Sequence, residues 1–324
     1  DIDLGTAQLD SFISFSPWVS GFMAMKYDSA TNTTSANRVD NSRFYLDKGF
    51  IPIGNLAKSP FYGSIGQFYV PFGRYSSGMI DLPLTTFIGK SKARAIMFGF
   101  KPDGSNRPYA EIFGFKGASK SNGNRVDDFG ADAGYDFSVH NVNGEVGVSA
   151  INTIADGKGF QSNGRSSGFQ GFNSSSTAED LKHNVPGVDV HGSVNLGSFG
   201  LIGEYVTATR RFDSTDLTFK THGARPSAFN LEGSYSLYAF SHPSSVGLEY
   251  GFSREALGLN LPRTRLGAYA EMAIQKYTIL TLEYRHDINY GKRDTATGNT
   301  LTAYTASDLG RSSNAVIAQL GVYF

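Results

Sequence analysis

The chain ends on Val316-Ile317-Ala318-Gln319-Leu320-Gly321-Val322-Tyr323-Phe324, an alternation that closes on an aromatic residue. Residues two apart in a β-strand share a face, so Val316, Ala318, Leu320, Val322 and Phe324 make one apolar side. A soluble sandwich accommodates one such strand as readily as a membrane barrel does. Recurrence of the pattern decides between them. Phe129, Ala131, Ala133, Tyr135 and Phe137 alternate with Asp128, Gly130, Asp132, Gly134 and Asp136; Val188, Val190, Val194 and Leu196 alternate with Asp189, His191, Ser193 and Asn195; Val246, Leu248, Tyr250 and Phe252 alternate with Gly247, Glu249 and Gly251. A sandwich turns the apolar face inward, whereas a barrel with a wet lumen turns it outward to lipid.

No apolar run approaches the roughly 18 residues of a spanning helix, so strands must make any membrane crossing. Glycine (38), tyrosine (17) and phenylalanine (25) are abundant, which suits strands, tight turns and aromatic girdles. The absence of cysteine excludes a disulfide framework and a thiolate metal site. Lys+Arg and Asp+Glu balance at 29 each, which removes any global field for nucleic acid or an anionic surface. No leader peptide is visible, and an exported barrel needs one, so a mature or truncated form is expected in which Asp1 is not the biological start.

Short turns are expected on the periplasmic side at residues 16–17, 55–60, 101–107, 139–143, 197–198, 241–244 and 275–276. Longer polar loops at 29–40, 75–89, 117–125, 155–184, 212–224, 255–261 and 289–312 belong outside the cell. The walk gives about fifteen strands in one domain spanning 1–324. Single-chain bacterial barrels are even-numbered, so the expectation is an all-β, antiparallel transmembrane β-barrel of about 16 strands whose first strand is absent here. The alternative is 14 strands with a peripheral or plug-like N-terminal segment. Residues 155–184 carry Phe160, Phe169 and Phe172, and either fold into the lumen or remain a surface loop. In Gln67-Phe68-Tyr69-Val70-Pro71-Phe72-Gly73-Arg74, the proline either aims Arg74 at the mouth or only ends the strand.

Strand direction sorts the inward charges by depth. Arg43, Lys92, Arg94, Arg210, Arg263, Arg265 and Arg285 fall at outer strand ends and are the candidate ligand-binding residues. Asp47, Asp132, Asp136, Glu204, Glu232, Glu249, Glu271 and Glu283 fall nearer mid-depth and are the candidate lumen acids. A basic mouth over an acidic waist would concentrate a polycarboxylate or its metal chelate, because guanidinium grips carboxylate bidentately. The competing reading is that these charges pair across strands and line a wet wall. His191 and His286 lack paired metal-ligand spacing, residues 117–123 lack the lysine and helix of a phosphate loop, and no Gly-x-Ser-x-Gly elbow is present. Neither an enzyme nor a cofactor is expected.

Residues 3–10, 66–76 (GQFYVPFGRYS), 91–100, 216–226 with its His222-Gly223-Ala224, and 282–291 are similar to the LbtU-like siderophore porins of Gram-negative outer membranes. The resemblance implies a barrel that admits ferric siderophore without the large plug and energy-coupling box of active iron receptors. It also implies additional N-terminal sequence, and with it a periplasmic partner. It supplies no binding residues. The expected partners are outer-membrane lipid, lipopolysaccharide and ferric siderophore or iron. A cation-selective general or ferrous-iron porin and a structural or adhesive barrel are the alternatives.

Overall fold

The computed structural model describes residues 6–29, 42–120, 125–162, 172, 180–298 and 308–323. Phe169, Phe324 and the Arg43 side chain lie outside the described residues. Alternation along the chain produces β1 (Ala7–Ser14), β2 (Ser20–Ser29), β3 (Ser42–Gly54), β4 (Phe61–Tyr69), β5 (Lys92–Phe100), β6 (Arg107–Phe115), β7 (Asp128–Val139), β8 (Val142–Ile151), β9 (Gly187–Leu196) and β10 (Phe199–Ala208). A small hairpin, β11 (Thr218–Phe219) and β12 (His222–Gly223), precedes β13 (Ser227–Ala239), β14 (His242–Arg254), β15 (Thr264–Gln275), β16 (Thr278–Ile288) and β17 (Ser312–Val322). All but β11 and β12 join one 15-stranded sheet in which sequence neighbours are spatial neighbours. Every pairing in it is antiparallel, for instance Glu232 opposite Glu249 and Gly267 opposite Arg285. This is the meander of an up-and-down β-barrel.

The faces divide as the alternation requires. Phe98, Leu248 and Val316 are 60%, 69% and 71% exposed, while Asp132, Glu232 and Glu283 on the opposite face are at most 2% exposed. Such an inversion of a soluble protein's rule makes the outer face a lipid contact. Phe15, Trp18, Phe61, Phe199, Tyr238 and Tyr323 are exposed at the turn end of the wall, where aromatic rings sit at a membrane–water boundary. No helix among the described residues is long and apolar enough to cross a membrane.

The short turns at one end of the wall are tight because their central residues take left-handed backbone angles. Gly197 (φ 56°) does so without cost, and Phe240 (φ 52°) does so at a two-residue hairpin between β13 and β14. At the other end, loops close over part of the lumen. Phe160, Phe172, Phe212, Leu217, Ala256 and Leu261 are buried together with Phe72, Leu84 and Ile88 of the β4–β5 connection and with Phe113 and Phe115 of the wall. The described parts of 155–184 therefore belong to an apolar cluster that includes residues of that connection.

Two loop carboxylates tie this assembly down. Asp156 accepts the Ala118 amide at 2.6 Å, and Asp216 accepts the Lys182 amide at 3.1 Å. Burial pushes each up to about 6, against the backbone hydrogen bonds that favour the charged form. A carboxyl group whose pKa is raised in the docked state binds its proton more tightly there, so docking strengthens as pH falls through 6 towards the ordinary carboxylate value near 4. Acidification from pH 7 to pH 5 is expected to raise the protection factors of the amides at residues 116–120 and 180–184, after division by the intrinsic exchange rate at each pH. Lower protection factors at pH 5 would contradict this.

Candidate functional site: the inner wall and its inserted segment

The β4–β5 connection, residues 70–91, folds back into the barrel. Its mouth is a narrowed hairpin, because the Val70 amide donates to the Ser91 carbonyl at 3.0 Å. Pro71 ends the ladder, and α1 (Leu84–Gly89) buries Leu84 and Ile88 in the apolar cluster. Between them the chain runs along the wall, bonding to one inward acid after another. The Gly73 amide donates to Ser149 on β8 at 2.9 Å, and the Arg74 and Tyr75 amides donate to Glu204 on β10 at 2.7 and 2.9 Å. The Gly78 amide and the Ser77 hydroxyl donate to Glu232 on β13 at 2.9 and 2.6 Å. The Ile80 and Asp81 amides donate to Glu283 on β16 at 2.5 and 3.1 Å. Each carboxylate thus accepts backbone N–H groups, which offset part of the cost of burying its charge and cover it from the lumen.

Side chains complete the attachment at both ends. Arg74 pairs with Asp132 at 2.9 Å and with Glu145 at 2.7 Å, and its guanidinium lies 5.2 Å from the centre of the Tyr109 ring. Arg265 grips Asp287 bidentately at 2.8 and 3.0 Å and donates to the Leu82 carbonyl at 3.2 Å. Arg285 pairs with Asp81 of the segment and with Asp287 at 3.1 Å.

Asp189, His191 and Glu204 present donor atoms within 4.8 Å of one another. Those donors are engaged: His191 Nδ1 meets Asp189 at 2.8 Å, its Nε2 meets the Tyr109 hydroxyl at 3.2 Å, and the Thr85 hydroxyl donates to the second Glu204 oxygen at 2.7 Å. The arrangement is a hydrogen-bonded network that locks the segment to the wall, with Asp189 Oδ2 left without a hydrogen-bond partner among the described residues.

The candidate residues therefore divide. Glu204, Glu232 and Glu283 point inward as read from the sequence, yet they are anchors for the segment. Glu249 is inward and buried, and neither of its oxygens has a hydrogen-bond partner among the described residues. Asp132 pairs with Arg74, and Asp136 pairs with Lys101 at 2.8 Å and Arg107 at 3.1 Å near the turn end. Glu271 is partly buried, and on β15 it shares the inward face of Tyr269 and Arg265. Asp47 sits at a bulge in β3 and pairs with Lys92 at 2.7 Å.

The basic mouth needs correcting. Arg94 lies on the β5 face of Ile96 and Phe98, which is the outward face, while Ala93, Ala95 and Met97 pack inward; Lys92, at the first residue of the strand, is taken up by Asp47 and lies 5.5 Å from the centre of the Tyr45 ring. Arg210 is exposed just beyond the end of β10, and Arg263 is exposed just before the start of β15. Arg265 and Arg285 do face inward, but as clamps on the segment.

Three inward lysines escaped the sequence reading. Lys26 on β2 alternates with the outward Met23 and Met25, Lys48 follows the β3 bulge, and Lys90 ends the inserted segment. None makes an ion pair among the described residues, and all three are partly exposed. Burial, then the neighbouring Lys48 charge, pushes the Lys90 ammonium below its ordinary value. Lys26, Lys48 and Lys90 are thus inward cations without an ion pair among the described residues, beside Glu249 and Glu271 as inward acids without one.

No protein-family model matches the chain. It is 40% identical to a UPF0422 protein of Coxiella burnetii, over all of this chain and 67% of that protein. A UPF0422 protein of Legionella pneumophila is 38% identical over all of this chain, which spans 62% of its length. Among solved structures, OmpF of Salmonella typhi in complex with daunomycin has a TM-score of 0.58 at 12% identity, covering 98% of this chain and 90% of that one. The anion-selective porin from Comamonas acidovorans has a TM-score of 0.56 at 10% identity, covering 98% and 89%. The outer-membrane channel DcaP of Acinetobacter baumannii has a TM-score of 0.52 at 12% identity, covering 97% and 84%. At these identities the likeness is one of fold, and the fold is that of an outer-membrane β-barrel.

Proposed function

The chain belongs to the UPF0422 family, and on that premise we propose that it forms an outer-membrane pore that favours anionic solutes, with a ferric polycarboxylate chelate as its cargo. The observation that carries the reading is the covering of Glu204, Glu232 and Glu283 by backbone amides of residues 74–81. An uncovered row of acids would draw cations into the lumen. Covered, it weakens that draw, and Lys26, Lys48 and Lys90 then outnumber Glu249 and Glu271, the inward acids that no amide or cation meets among the described residues. The name of the Comamonas porin and the resemblance to siderophore porins agree with an anionic cargo, and the iron chelate rests on that resemblance.

Cells lacking the protein and then regaining it provide the test. Uptake of radio-labelled ferric citrate is expected to fall and recover, and Lys48→Glu is expected to depress it while leaving uptake of a neutral sugar intact. Recovery of free ferrous iron uptake alone would hand the function to a cation pore.

A further inference from the structure

Beside Lys48 and Lys90 the inner wall opens into a cleft of about 370 Å³, lined by Phe22, Lys48, Phe50, Phe68, Met97 and Glu111 among others. Its aromatic rings form a chain: Phe22 and Phe50 are 5.1 Å apart between centres, and Phe50 and Phe68 are 5.6 Å apart. The Lys48 ammonium lies 5.3 Å from the centre of the Phe22 ring, and the Lys90 ammonium lies 4.7 Å from the centre of the Tyr69 ring. Glu111 is the single carboxylate of the lining, and it accepts the Tyr62 hydroxyl.

Three features of the cleft select for more than charge. Lys48 and Lys90 are held over ring faces without an ion pair among the described residues, so an anion entering the cleft meets two ammonium groups against the one carboxylate of Glu111, which is engaged by the Tyr62 hydroxyl. The neighbouring acid Asp47 is already paired with Lys92. The Phe22–Phe50 pair is partly exposed and faces inward, which leaves flat apolar surface beside the charge. A small saturated anion can use the lysines alone, whereas a planar aromatic anion can use the lysines and stack on the rings.

We infer that this cleft is a binding site for aromatic carboxylates or other ring-bearing anions, with Lys48 and Lys90 holding the charge and Phe22 and Phe50 holding the ring. The inference rests on the anionic reading above and narrows it to a class of solute.

The test is block of potassium chloride conductance through the protein in planar bilayers by two probes of equal charge and similar size, phthalate and cyclohexane-1,2-dicarboxylate. Phthalate is expected to half-block at a concentration roughly three- to tenfold lower, the range given by one aromatic contact. Phe22→Leu with Phe50→Leu is expected to erase the difference while sparing the weaker block, and Lys48→Met is expected to weaken both probes. Should the double variant fail to insert, the wild-type comparison still decides. Equal block by the two probes from an anion-selective channel overturns the ring preference alone. Cation selectivity in potassium chloride without any probe overturns the anionic reading and this site with it.

Discussion

Replacing residues 71–90 with Asn-Gly is expected to turn the pore from anion-selective to cation-selective and to raise its conductance severalfold. The Val70–Ser91 backbone hydrogen bond already closes the end of the β4–β5 hairpin, so a two-residue turn can join the strands there without disturbing the ladder. Everything that screens the wall acids leaves with the segment: the amides on Glu204, Glu232 and Glu283, and the guanidinium of Arg74 on Asp132 and Glu145. Lys90 leaves too. The remaining lumen would expose Asp132, Asp189, Glu204, Glu232, Glu249 and Glu283, all now buried. Single-channel conductance and reversal potential in planar bilayers check both parts. A shortened variant that conducts more but stays anion-selective would show that the acids do not set selectivity even when bare.

Arg265→Met is expected to destabilise the barrel by about 3 kcal/mol, the low end of the cost of breaking a buried ion pair. Arg265 and Asp287 are each 7% exposed, and their contact is bidentate. The low end applies because Arg285 still reaches Asp287 at 3.1 Å. Loss of the bond to the Leu82 carbonyl also frees the middle of the inserted segment. Urea unfolding in lipid vesicles measures the cost. Arg265→Met with Asp287→Leu is expected to recover much of it, since removing both charges leaves none unpaired. No recovery would mean that the Leu82 contact, and not the ion pair, carries the stability.

Most of the barrel was legible in the sequence because its determinants are local. Alternation in Phe129–Phe137 and Val246–Phe252 fixes which face meets lipid, and the polar breaks between strands fix the turns. The same alternation was available on β5, where Ile96 and Phe98 mark the outward phase, but the charge of Arg94 drew it inward against it. Lys26 was legible by the same rule, sitting out of phase with Met23 and Met25. Lys48 was not, because the β3 bulge shifts the phase by one residue at Asp47.

The covering of the acids was beyond local reading. Gly78 and Glu232 are 154 positions apart, and Ile80 and Glu283 are 203 apart. The acids declare their face through strand parity, but the groups that satisfy them are backbone amides, which every residue except proline carries and no sequence pattern marks. Pro71 and Arg74 announced a turn at the rim. The path of the next ten residues along the wall follows only once the wall exists.

The most direct measurement is the reversal potential of the protein in a planar bilayer separating two concentrations of potassium chloride. A lumen in which residues 74–81 cover Glu204, Glu232 and Glu283 and whose unpaired cations are Lys26, Lys48 and Lys90 predicts a potential displaced towards the chloride equilibrium value. Displacement towards the potassium value would contradict it, because the wall acids would then be acting on the permeating ion despite the amides that face them.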